Sequence, residues 1–259
     1  MEFTPSSSNP FIVADDLGLD SAVNEGIFFA LKNGLIDGVS LMAIGEMFDN
    51  AIRGLKNVPN TSVGIHLVLV EERSLTRIKL PQNHRIFFIK YVFGLIKKDE
   101  IEKELEAQVQ KILGTGVRPR FINSHQHLHL LPGIMDIIIS LAKKYGVNYL
   151  RIVNEPIQSG ENLFRQAQLL FLNFLSWLAK KKIKKAGLQG NDFFVGFINA
   201  GNLNVEDLRL AKKLKRMYPE KIVELGCHPG FESQELVKKY KHWHYHWAKE
   251  IEVLKTKKQ

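Results

Sequence analysis

A single cysteine, Cys227, stands in a chain of 259 residues, so neither a disulfide framework nor a zinc site built from several thiolates is available. A reducing, cytoplasmic compartment is the expectation that follows. Long apolar runs are also missing. The richest, LLFLNFLSWLA at 169–179, reaches ~16 Å as a helix, about half of a bilayer core of ~30 Å, and cannot span. The opening MEFTPSSSNP lacks a basic region followed by an apolar one, which argues against a secretory signal and predicts a flexible polar leader over 1–10. No repeat and no linker interrupts the rest, so 11–259 is predicted to be one domain. Acidic residues are outnumbered, 27 against 36 basic ones, for a net charge of +9. No helix-turn-helix, RNP or zinc-finger pattern accompanies that charge, so nucleic acid is not an expected partner. Clusters such as KKKIKK (180–185) and KKLKR (212–216) read as solvated helix faces.

What is present is an ordinary globular composition, 45% apolar and 24% charged. Seven short apolar runs predict strands at 11–15, 39–44, 62–69, 120–124, 149–153, 193–197 and 222–227. They are continuous rather than alternating, as in strands covered on both faces. Helical patterns lie between them at 21–33, 99–113, 133–145 and 205–217. Gly34, Gly114 and Gly146 close the first three, and Asn204 opens the last. Strand and helix in alternation predict an α/β fold with a parallel sheet of about seven strands, closed as a (β/α) barrel or an irregular version of one. Residues 83–98 and 156–192 are longer excursions.

In such folds chemistry collects where strands end. The first strand ends in Asp15 and Asp16, the third carries His66, the fourth runs into HQHLH with His125, His127 and His129, and the last ends at His228. Each has a plain alternative: a turn for the aspartates, a satisfied core histidine for His66, a turn before Pro229 for His228. Together they supply the carboxylate and imidazole ligands of a metal hydrolase, with an acid and a base to spare. On an extended chain 125, 127 and 129 point to one side; one is expected as a ligand and the others as substrate contacts or supports. Cys227 and His228 face opposite ways and form no dyad. HWHYHW (242–247) falls in an amphipathic C-terminal helix pattern and reads as a surface feature.

At these residues the chain resembles the YdjC-like carbohydrate deacetylases, the family of chitooligosaccharide deacetylase. The resemblance rests on ADDLGLDSAVNEGI (14–27), GVSLM (38–42), VGIHLVL (63–69), FINSHQHLHLLPG (121–133), the R-x-x-x-E of RIVNEP (151–156) and ELGCHPG (224–230). HLVLVE and SLM are also similar to the hopanoid-biosynthesis branch, whose substrate would be a sugar carried on a lipid. The resemblance implies an irregular (β/α) barrel that removes acetyl from an N-acetylated sugar, with one divalent metal ion, Mg2+ or Zn2+, on Asp16, His66 and His125. It implies Asp15 and His228 as the acid–base pair, substrate contacts from His127, His129, Arg151 and Glu155, and a homodimer. Relatives continue past the position of residue 259 into another strand and helix, so a difference in barrel closure is expected. Rival readings are an amidohydrolase or phosphoesterase of other specificity, and a non-catalytic basic protein binding nucleic acid or lipid. The segment 163–185 joins an apolar pattern to a cationic end, which suits a helix resting on an anionic membrane. Its simpler reading is a barrel helix with Leu and Phe packed inward.

Overall fold

The computed structural model describes residues 8–157 and 163–258; residues 1–7 of the expected leader lie outside them. Seven parallel strands form one sheet: β1 Phe11–Leu17, β2 Gly38–Leu41, β3 Ser62–Leu67, β4 Phe121–Ser124, β5 Tyr149–Leu150, β6 Phe193–Val195 and β7 Val223–Cys227. Their order is β5-β4-β3-β2-β1-β7-β6, with the N-terminal strand near the middle. Among the described residues nine α-helices connect or flank them: α1 Ser21–Lys32, α2 Phe48–Leu55, α3 His84–Val92, α4 Lys98–Leu113, α5 Ile134–Tyr145, α6 Leu163–Lys185, α7 Val205–Met217, α8 Gln234–Lys239 and α9 Trp247–Lys255. Local chemistry fixes several ends. Asp20 accepts from the Ala22 amide at the start of α1, Asn204 and Asp207 form a capping box on α7, and Gly146 takes a left-handed conformation after α5.

The closed barrel is not formed. The sheet is an open, curled half-barrel with β5 and β6 as its edges. An isolated parallel bridge, Tyr149 to Gln189, touches the seam between those edges. Regular pairing is interrupted next, because the Asn191 side chain takes the backbone groups of Ile152, and it resumes only in a bond from the Phe194 amide to the Asn154 carbonyl at 2.9 Å. Asn191 Oδ1 accepts from the Ile152 amide at 2.8 Å and its Nδ2 donates to the Ile152 carbonyl at 2.8 Å. A side-chain amide thus replaces a rung of the ladder between the two edges.

The concave face of the curl is layered by strand parity. Phe11, Val13, Phe121 and Tyr149 form a buried floor, with Phe11 and Tyr149 each edge-on to Phe121, at 5.9 and 6.4 Å. Strand glycines make the room: a Cβ on Gly64 would sit 2.2 Å from the Phe121 ring, and one on Gly38 2.9 Å from Phe11. The same face carries Asp15, Ser40, His66, Asn123, Arg151 and Glu224, all buried, with Glu224 beside Phe11 in the register and Asp15 two residues further along β1 from Val13.

Candidate metal centre

β1 delivers two carboxylates in succession. In a regular strand Asp15 and Asp16 would point to opposite faces. Here Ala14 pairs with Val39 but Leu17 with Leu41, so β1 holds one extra residue against β2, and Asp16 sits at φ 65°. That bulge turns Asp16 into the mouth of the curl. Its Oδ1 lies 3.2 Å from His66 Nε2 and 3.4 Å from His125 Nδ1. One ligand atom from each of the three residues falls within 4.8 Å of the others.

The tautomers follow from the partners. Asn123 Nδ2 donates to Asp15 Oδ1 at 3.0 Å, which leaves Asn123 Oδ1 to accept from His66 Nδ1 at 2.7 Å. His66 is therefore protonated on Nδ1 and presents the Nε2 lone pair to Asp16. His125 donates from Nε2 to Glu71 Oε2 at 2.9 Å and presents Nδ1. Each imidazole is held by a partner on its far nitrogen, the usual arrangement behind a metal ligand. Asp16 Oδ1, Asp16 Oδ2 and His66 Nε2 are buried without a hydrogen-bond partner. Orphaned acceptors of this kind are costly unless something cationic joins them, so the donor set fits a divalent ion.

Asp15 is held differently. It accepts from Ser40 Oγ at 2.6 Å, from Asn123, and from both terminal nitrogens of Arg151, at 2.5 and 3.0 Å. Burial pushes its carboxyl up, but the Arg151 guanidinium more than offsets this and holds it well below the usual carboxylate range. Arg151 is fully buried and also bonds Glu224 through Nε. It braces Asp15 rather than meeting solvent.

The histidines of HQHLH do not alternate on an extended chain. Residues 125–130 coil into a 3-10 turn with Gln126 and His127 in left-handed conformations, φ 55° and 54°. The His125 ring therefore turns away from the other two, which stay edge to face at 6.2 Å. His129 donates from Nε2 to the Arg151 carbonyl at 2.8 Å and accepts at Nδ1 from Ser124 Oγ at 2.7 Å, so both nitrogens serve the interior. Burial drives its pKa down to about 3. His127 reaches past Phe194 and Phe197, with ring centroids 5.7 and 5.8 Å away, and its buried Nδ1 has no partner. It lines a cleft of about 520 Å³ whose walls also include Phe88, Phe164, Phe171 and Phe197.

His228 follows β7. Its amide donates to Glu250 Oε2, its ring lies 4.8 Å from Tyr245, and its Nδ1 is unpartnered. Glu155 is buried under the loop after β6 and accepts from the Phe197 amide at 2.7 Å, while Oε1 has no partner. Burial raises its pKa to about 7.

Glu71, Ser40, Asn123, Glu224, Trp243 and Tyr245 were not singled out from sequence. Polar residues inside apolar strands, Ser40 in GVSL and Asn123 in FINS, are a usable signal because burial demands partners for them. HWHYHW corrects one expectation. It is not a continuous helix: a 3-10 turn spans Lys241–Trp243, His244 is left-handed, and α9 starts at Trp247. His242, His244 and His246 are exposed as expected, but the aromatics between them turn inward. Trp243 lies 4.9 Å from the His125 ring and donates to Glu71 Oε2 at 3.0 Å.

A half-barrel with buried Asp, His and His at its strand ends is the architecture of a metal-dependent hydrolase site. The family model described as "YdjC-like protein" matches residues 11–258, and the chain belongs to that family. It is 26% identical over 249 residues to a carbohydrate deacetylase of Clostridium beijerinckii, covering 94% of this chain and 90% of that one. A carbohydrate deacetylase of Oceanobacillus iheyensis is 29% identical with 94% of both covered. A chitooligosaccharide deacetylase of Citrobacter koseri is 32% identical over 58% of this chain and 61% of its own. Among solved structures, a putative cellobiose-phosphate cleavage protein of Enterococcus faecalis V583 shares the fold, with TM-score 0.69 and 21% identity over 95% of this chain and 91% of that one.

Proposed function

We propose that the chain is a metal-dependent hydrolase that removes acetyl from an N-acetylated amino sugar. The observation that carries this reading is the convergence of ligand atoms from Asp16, His66 and His125, those of Asp16 and His66 without a hydrogen-bond partner, beside the anchored carboxylate of Asp15. The deacetylase names of relatives matched over nearly their whole length support the same chemistry.

Asp16, His66 and His125 would hold one divalent ion, which supplies Lewis acidity toward the amide carbonyl and acidifies a water. Two imidazoles favour Zn2+ on affinity, and the carboxylate also admits Mg2+. Asp15 stays ionised beside Arg151 and accepts the proton of the attacking water; Arg151 and Glu224 fix its orientation. His228, with Nδ1 unpartnered and its ring against Tyr245, protonates the departing amine. His127 at the cleft wall contacts substrate, whereas His129 and Arg151 act as supports. The single buried thiol suits a reducing cytoplasm.

Acetate release from N-acetylated chitooligosaccharides, with and without added Zn2+ or Mg2+, tests the reading. Asp15→Asn and His228→Ala should retain metal and lose turnover by roughly 10²–10⁴ each. Undiminished metal content in both His125→Ala and Asp16→Ala would remove the ligand assignment.

A further inference from the structure

We infer that α3 and α6 together form a docking face for the surface of an anionic lipid bilayer. The face is a property of both helices. On α6 the exposed positions include Leu163, Ala167, Leu170, Phe174 and Trp177, spaced by four, three, four and three residues, so they form one outward stripe. Leu169, Leu175, Ala179 and Ile183 form a separate buried side. The reading in which this helix packs its Leu and Phe inward therefore accounts fully for only Leu169 and Leu175, with Leu172 and Leu178 half-buried. On and after α3, Ile89, Val92, Phe93 and Leu95 are more than half exposed. Ring contacts join the two helices into one patch: Phe88 lies 6.1 Å from Phe171, and the Arg85 guanidinium lies 5.5 Å from the Phe164 ring. A contiguous apolar surface of this kind marks an interaction site.

Charge selects the occupant. Residues 84–98 and 163–185 contain ten basic residues and no acidic one, while the whole chain has a net charge of only +9. The apolar excess and the cationic excess thus occupy the same two segments. Lys181 places its ammonium 3.3 Å from the Trp177 ring, at the end of the apolar stripe, and Lys184 and Lys185 follow. Apolar side chains beneath lysines suit an acyl layer beneath anionic headgroups. A second copy of the chain would set this cationic face against its own like, which charge disfavours. No helix among the described residues is long and apolar enough to cross a membrane, so α6 would lie on the surface. The aromatic cleft lined by His127 opens between these helices, so it lies on the side of the molecule that would face the bilayer.

The inference is separate from the deacetylase reading, because docking is read without turnover. Flotation of the full chain with phosphatidylcholine vesicles, and with vesicles containing phosphatidylserine, tests it at low and moderate salt. Binding should require phosphatidylserine and weaken with salt. Each lysine removed from Lys181, Lys184 and Lys185 should lower the partition coefficient about fivefold. Phe174→Glu and Trp177→Glu should lower binding further, with thermal melts and metal content like those of wild type. The inference fails if the wild type stays unbound to both vesicles at both salts, or if folded Phe174→Glu and Trp177→Glu bind like wild type. It also fails if sedimentation velocity without lipid shows a dimer that Phe174→Glu abolishes, since the face would then belong to a second copy.

Discussion

His125 can present Nδ1 to the centre only while its other nitrogen is engaged, and Glu71 engages it at 2.9 Å. Glu71 in turn accepts from Trp243 and sits at φ 71°, so three elements combine to set one lone pair. Glu71→Ala should leave the fold intact and weaken divalent-metal affinity roughly 10- to 100-fold, read by chelator competition. Unchanged affinity would mean that the ring keeps its orientation without this bond. A second consequence concerns His129, whose pKa burial depresses from 6.5 to about 3. A group depressed in the folded state contributes stability that is present above its unfolded value and lost as pH falls toward the folded one. Wild type should therefore lose up to about 1.4 kcal/mol per pH unit through this residue between pH 6.5 and 4. His129→Asn should be less stable at pH 7 and show a shallower slope in urea denaturation. Equal slopes would assign the proton uptake to another group.

Among the elements, the strands were legible, helices α2, α3 and α8 were not, and α6 was legible in extent but not in its faces. Seven continuous apolar runs marked the strands because each is covered by side chains on both faces. Their ends scattered by a few residues, since Asn191 and the bulge at Asp16 cut or lengthen pairing through contacts remote in sequence. Helix α6 was hard to read because its outer stripe is as apolar as its buried side, which erases the period of 3.6. HQHLH misled for a related reason: alternation is informative only on an extended chain, and two left-handed residues coil this one. Asp16, His66 and His125 could be singled out because their types mark metal chemistry, and the fold brings them together. Glu71 was missed because a lone glutamate after an apolar strand carries no such mark. The strand glycines offer a direct test of packing. Gly64→Ala would force a Cβ to within 2.2 Å of the Phe121 ring. It should cost about 1–3 kcal/mol in chemical denaturation, and a Gly64→Ala/Phe121→Leu double variant should recover much of that. A neutral Gly64→Ala would show that the floor yields more easily than its contacts suggest.

For the whole molecule, the open seam between β5 and β6 has an energetic signature. Asn191 satisfies both backbone groups of Ile152, so Asn191→Ala leaves a buried donor and acceptor without partners. A loss of about 1–3 kcal/mol is expected, with faster hydrogen exchange at the Ile152 amide than at amides inside β1. Uniform exchange across the sheet would mean that the other bonds across the seam, such as Phe194 N–H to the Asn154 carbonyl, hold it without the clamp. The floor of Phe11, Phe121 and Tyr149 has a further effect, on traffic. It seals the lower end of the curl beneath the ionised layer, so the centre is a well filled and emptied from above. A hydrolysis there makes two products that share one exit. Whichever lies deeper leaves second, and the departures are ordered. Inhibition by the two products should then differ in form: the last to leave competes with substrate, and the first does not. Competitive inhibition by both would reveal a second way out.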